Sequence, residues 1–193
     1  ATELREQIQQ EFYDFFEFDI KPFKDIIRLQ DGYETLDAIT DAFSKKGSEE
    51  TIFIVRSNKR ANQYNQQIRT RVLDNESEIS AGDYIMVVKN NYFWLKDSKV
   101  TDFIANGDVM EVMQIYKHHE LYGFRFASVK VRMIDYPDMP AFDTIVLLDT
   151  LHSESASLTY EQSNKLYQEV LLDYQDEITA FRRMQKVKNN EYF

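Results

Sequence analysis

Between Thr51 and Leu73 the chain reads TIFIVRSNKRANQYNQQIRTRVL, with five cations (Arg56, Lys59, Arg60, Arg69, Arg71) and no carboxylate. Charge-assisted donors grouped in this way suit phosphate, which accepts several N–H bonds at once. The apolar run 51–55 predicts a buried strand, and Ser57 or Asn58 predicts the cap of the helix that follows. Ligands of open α/β sheets bind beyond the carboxyl ends of the strands. Arg56, Ser57, Asn58, Lys59 and Arg60 are therefore the expected phosphate contacts. Ala61, Tyr64, Ile68 and Val72 form the inward stripe of the helix, which leaves Asn62 and Arg69 as outward candidates for DNA. The competing explanation is structural: a solvated helix whose arginines pair with acidic neighbours.

A second group is Lys89-Asn90-Asn91-Tyr92-Phe93-Trp94, one cation, two amides and three aromatics. Single-stranded nucleic acid is bound by this mixture, because bases stack on rings and phosphates meet lysine. Lys89, Asn90, Asn91 and Tyr92 are the candidate contacts, joined by Asn106 from the turn Asn106-Gly107-Asp108. Other chemistries find little support. His118-His119-Glu120 reads as a surface turn, since adjacent histidines on a strand point to opposite faces and His152 is remote. Asp135, Asp138, Asp143 and Asp149 have turn or strand-edge spacing and not that of a nuclease. With no cysteine in the chain there is no disulfide framework, thiolate metal site or thiol nucleophile.

The elements that must hold these groups are legible from periodicity. Leu4, Ile8, Phe12, Phe15 and Phe16 fall on one helical face, and a second helix is expected over about 33–46, stopped by Gly47. Asp25–Leu29 reads as a short strand ended by Asp31-Gly32. After residue 80 apolar runs recur at short spacing (84–89, 109–116, 124–134, 144–149) with turn signals between them, the pattern of a small antiparallel barrel. Beyond Ser157 a helical stripe returns, opened by a Thr159–Gln162 capping box. Hydrophobic content of 43% in 193 residues suits one sizeable packed domain. The formal net charge is −10, and residues 1–50 hold thirteen Asp and Glu against six Lys and Arg. That balance excludes a uniformly basic nucleic-acid-binding face but not a basic strip. No apolar run approaches the roughly 20 residues that cross a bilayer, so no membrane partner is expected and the cytoplasm is the default location.

The order of the blocks carries a resemblance. A strand, then SNKRANQYNQQIR, then GDYIMVVKNNYFWL (82–95), then FIANGD (103–108) resembles the second motor domain of RecD-like (exodeoxyribonuclease V alpha-like) DNA helicases. The resemblance implies a mixed α/β fold: a partial RecA-like, P-loop NTPase-like domain with an inserted SH3-like barrel and a C-terminal helix. Its segments would be a helix-strand-helix over 1–50, the RecA-like α/β segment over 51–80, the barrel over 81–156 and a helical return over 157–193. The family's loop reads N-G-D-x-G-x-V, whereas Met110 stands here at the second glycine position.

A helicase motor needs a G-x-x-x-x-G-K-[ST] loop to hold nucleotide phosphates, and this chain, with five glycines, has none. The family's later glutamine-glycine and arginine motifs are missing as well. The expectation is a fragment that is not active alone. ATP and Mg2+ would belong to the full-length protein, and the partners would be single-stranded DNA, the missing N-terminal RecA-like domain and the C-terminal remainder. A stand-alone SH3-like module for nucleic acid or protein is the alternative.

Overall fold

The computed structural model describes residues 2–10, 20–95, 100–153 and 157–193. The chain divides into two compact units, Ala1–Ile52 and Phe53–Phe193. The first unit holds helices α1 (Thr2–Gln9) and α2 (Gly32–Lys46). Asp31 caps α2 by accepting the Tyr33 and Glu34 amides at 2.8 and 2.9 Å, so Asp31-Gly32 opens a helix. Gly47, at φ +81°, ends it by donating to the Phe43 carbonyl. Of the first expected helical stripe, Phe12, Phe15 and Phe16 lie outside the described residues.

Two expected strands are not strands. Residues 25–29 and 51–55 have no ladder partner among the described residues, and Ile27, Ile52 and Ile54 are 78%, 85% and 91% exposed. Backbone donors and acceptors need a neighbouring strand to be satisfied away from water. The one sheet among the described residues is formed by four later strands.

That sheet is the centre of the second unit, with β1 (Tyr84–Met86), β2 (Val109–Leu121), β3 (Phe124–Met133) and β4 (Phe142–Leu147) in sequential antiparallel order. Each of the four apolar runs after residue 80 became one strand. β2 and β3 join through Tyr122-Gly123, both at positive φ (56° and 71°), the two-residue turn whose twist matches the strands. The pairing register skips Met113 and Tyr116 on β2. Each is an extra residue opposite the partner strand, and such bulges bend a strand and raise its twist. The result is a curled sheet, half of a barrel. The chain is thus mixed α/β with an antiparallel half-barrel, and no helix among the described residues is long and apolar enough to cross a membrane.

Two clusters share β3. Its Ala127, Val129, Val131 and Met133 face a core completed by Ile79, Leu95, Ile104, Met110, Val112, Met139 and Leu148. Its Phe124 and Phe126 face the other way, onto Leu166 and Val170 of α4 (Tyr160–Leu172) and Val187 of α5 (Ala180–Lys188). The expected C-terminal stripe is thus two helices. The Thr159–Gln162 capping box opens the first, and Thr179, accepting the Arg182 amide, caps the second. At its start the unit carries α3 (Asn58–Arg71), with Ser57 accepting the Arg60 amide as its cap.

The same turn occurs twice at the entrances of the barrel strands. In Ser80-Ala81-Gly82-Asp83 and in Ala105-Asn106-Gly107-Asp108 the glycine has φ of +90° or +98°. In both, the aspartate carboxylate accepts the first residue's amide at 2.7 Å, and the aspartate amide donates back to that residue's carbonyl. Both glycines then donate to the neighbouring strand, Gly82 to Val112 and Gly107 to Val87. The two Gly-Asp blocks that carried the resemblance are therefore turn chemistry that sets the barrel's register. Met110 lies on β2 as a buried core residue, where a glycine would leave a hole. Replacing Gly107 by Ala strains the backbone at positive φ and should cost about 1–2 kcal/mol. Gly32→Ala, in open space at a helix start, should be neutral or mildly stabilising. Chemical denaturation of the two variants checks both.

Candidate nucleic-acid interface

The expected phosphate group sits on the first turn of α3 and in the residue before its cap. Arg56, Ser57, Asn58, Lys59 and Arg60 are all exposed, and Arg56 and Arg60 form no ion pair among the described residues. The amides of a helix's first turn and its dipole favour an anion at this end. The two outward candidates further along α3 are engaged inside the protein. Asn62 donates to the Ser153 carbonyl at 2.8 Å. Arg69 grips both oxygens of Asp83, Nε to Oδ1 at 3.1 Å and Nη2 to Oδ2 at 2.9 Å, with both side chains about 15% exposed. Gln66 lies between them, 2.6 Å from His152 Nδ1. α3 therefore docks on the barrel through a polar face, and Asp83 serves the Gly82 turn and the helix together. Of the cations in the run without acids, Arg69 finds its carboxylate 14 residues downstream.

Lys89, Asn90 and Asn91 line a cleft of about 480 Å³. One wall is the edge of β1 and its extension, 85–88; the opposite wall is β4 residues 144–147. β1 and β4 are the two unpaired margins of the curled sheet, so the cleft is the gap where the half-barrel fails to close. Asn91 is tied down by its carboxamide, which accepts the Phe93 amide at 2.9 Å, and by reciprocal backbone bonds to Ile104. Asn90 accepts the Asn106 amide at 2.8 Å, which joins the two expected contact loops. Tyr92, 64% exposed, stacks on Phe103 with ring centroids 5.2 Å apart and interplanar angle 23°. A ring held flat by a neighbour and open on its other face is a platform on which a base can stack. The structure thus unites Lys89, Asn90, Asn91, Tyr92 and Asn106. None of Arg56, Ser57, Asn58, Lys59 and Arg60 lines this cleft.

Trp94, from the expected group, borders the cleft, but sequence reasoning missed Tyr192 and Phe193, which border it too, with Tyr192 packed edge-on against Phe126 at 4.9 Å. The aromatic ending Glu191-Tyr192-Phe193 was the available signal, but nothing local ties it to Lys89, 104 positions earlier. His119, expected in a surface turn, lies on β2 instead, stacked on Phe126 and sharing a 3.1 Å hydrogen bond with the Tyr192 hydroxyl, while its buried Nδ1 has no hydrogen-bond partner among the described residues. Burial first, then Lys117, holds its pKa below the usual imidazole range, with Glu191 pulling the other way. Arg125 binds Asp149 and Glu78 in an exposed network, and Tyr116 donates to Asp143. Among the described residues no group of three His, Asp or Glu is arranged to hold a metal ion.

No family model matches the chain, and no curated protein matches it. What the fold and site define is a mixed α/β chain with an antiparallel half-barrel, whose open seam is lined by amides, a lysine and aromatic rings.

Two outcomes test this geometry. Asp83→Ala leaves a largely buried Arg69 without its partner and opens the Gly82 turn, which should cost about 3 kcal/mol; adding Arg69→Met should recover part of the loss in a double-mutant cycle. His119 should titrate by NMR below the roughly 6.5 of a free imidazole. Because its folded pKa is lowered, the unfolded chain takes up the proton first on acidification. Its stabilising contribution is therefore complete above about pH 6.5 and lost progressively as pH falls towards the folded value. His119→Gln should flatten that part of the stability profile.

Proposed function

We propose that this chain is part of a RecD-like, ATP-dependent 5′→3′ DNA helicase and supplies contacts to single-stranded DNA and to the nucleotide cleft. The observation that carries the reading is the pairing of an exposed cationic first turn on α3 with a rigid amide-lysine-aromatic loop, in a chain of net charge −10. Phosphates meet Arg56, Arg60 and Lys89, and a base stacks on Tyr92. The run 51–55, which lies directly before the cationic turn and exposes Ile52 and Ile54, suits a segment that pairs within a larger parallel sheet.

No step of ATP chemistry is assigned to these residues. Gly47, Gly82, Gly107 and Gly123 end a helix or shape strand turns, and none precedes a Lys-Ser or Lys-Thr pair at the start of a helix. ATP and Mg2+ belong to the full-length protein in this reading. The second reading is a self-contained binding module, favoured by the fact that the cleft is built wholly within the second unit.

Lys59→Ala with Arg60→Ala in the full-length enzyme should impair DNA-stimulated ATPase, and unchanged rates would remove the α3 turn from the mechanism. Binding of the chain itself to an oligonucleotide should weaken as salt rises. With three phosphates neutralised, log K should fall against log salt with a slope of about −2. Absence of salt-sensitive binding overturns both readings that involve nucleic acid.

A further inference from the structure

The end of the chain folds back onto the cleft. Asn190 accepts the Tyr192 amide at 2.9 Å and the Phe193 amide, through its carbonyl, at 3.2 Å, which makes a tight turn. The Asn190 carboxamide donates to the Tyr174 hydroxyl at 3.0 Å and anchors that turn on the α4 side. Tyr192 then packs edge-on against both His119 and Phe126. The Phe193 ring comes to rest with Lys89 Nζ 5.7 Å from its centroid and with the Tyr167 ring edge-on at 5.6 Å. The cation expected to meet nucleic acid thus already faces an aromatic ring of its own chain.

We infer that Phe193 is the resident occupant of an aromatic slot between Lys89 and Tyr167, and that a base of single-stranded nucleic acid competes with it for that slot. The inference rests on the reading of Lys89 as a nucleic-acid contact and adds two things to it, a slot and an internal competitor. Three properties argue for exchange. Phe193 is 38% exposed and Lys89 is exposed, so the ring covers the slot without being locked into the core. A cation over a ring is a contact that a base reproduces, since every base offers a π face. The anchor at Tyr192 sits against the core of the second unit, so the Phe193 side chain can rotate away from the slot while the turn before it stays in place.

The sole tryptophan, Trp94, borders the same cleft and reports on its cover. Phe193→Ala should raise acrylamide quenching of Trp94 fluorescence without loss of fold, and unchanged quenching overturns the cover. In anisotropy titrations with a labelled oligo(dT) of about 15 nucleotides, the same variant should bind about two- to fivefold more tightly, the worth of an exposed cation–π contact. Lys89→Ala should bind more weakly and should abolish the gain when combined with Phe193→Ala. Increased quenching with unchanged or weaker binding overturns the competition. If neither the parent chain nor Phe193→Ala binds the oligonucleotide at low salt, the nucleic-acid reading of Lys89 falls, and the base as ligand falls with it. In that outcome the quenching result still decides whether Phe193 covers the cleft.

Discussion

Near its start β3 is buried on both faces, and most of the second unit hangs on that condition. Phe126 and Ala127 are neighbours, point to opposite sides of the sheet, and are 1% and 0% exposed. An antiparallel strand ordinarily shows one face to water. Here the odd-numbered residues from Ala127 to Met133 close the half-barrel core while Phe124 and Phe126 seat α4 and α5. Each buried valine contributes about 1.5–3 kcal/mol relative to exposure, so neither layer can be removed without leaving part of β3 in water. The barrel and the C-terminal helices form one cooperative body for this reason.

The polar tether of α3 has a different character. An amphipathic helix usually docks through its apolar stripe, and Ile68 is buried as that rule expects. Asn62, Gln66 and Arg69 nonetheless turn towards the barrel and find a carbonyl, an imidazole and a carboxylate. Polar partners have direction, so they fix the angle and register of the helix in a way that a smooth apolar contact does not. The same aspartate that receives Arg69 also closes the Gly82 turn, which couples the helix to the strand entrance through a single side chain. The exposed cationic turn at the other end of α3 is held in a defined position by these bonds.

The cleft follows from geometry that is incomplete. Two bulges curl β2, and the sheet bends far enough to bring β1 and β4 towards each other without pairing them. The unpaired margins become the walls of a groove, and the aromatic ending of the chain lies against it. A half-barrel with an open seam exposes backbone and side chains that a closed barrel would bury, and this is where the lysine, amides and rings gather.

Local order was readable from the residues alone. The four apolar runs after residue 80, Asn106-Gly107-Asp108 as a turn, Gly47 as a helix stop and the Thr159–Gln162 capping box depend on neighbours within a few positions, and each formed as its chemistry requires. The segment Lys89–Tyr92 stands out by its mixture of residue types, and Lys89, Asn90 and Asn91 line the cleft. What depends on distant partners was not. The runs 25–29 and 51–55 have strand composition but no neighbouring strand among the described residues. Arg69 reads as free until Asp83 is folded against it, and His119 reads as superficial until Tyr192 returns from 73 residues away. Composition and spacing report what a segment can do by itself. Which donor meets which acceptor, and which edge stays open, is decided when long-range contacts are made, because only there does burial make an unpaired polar group costly.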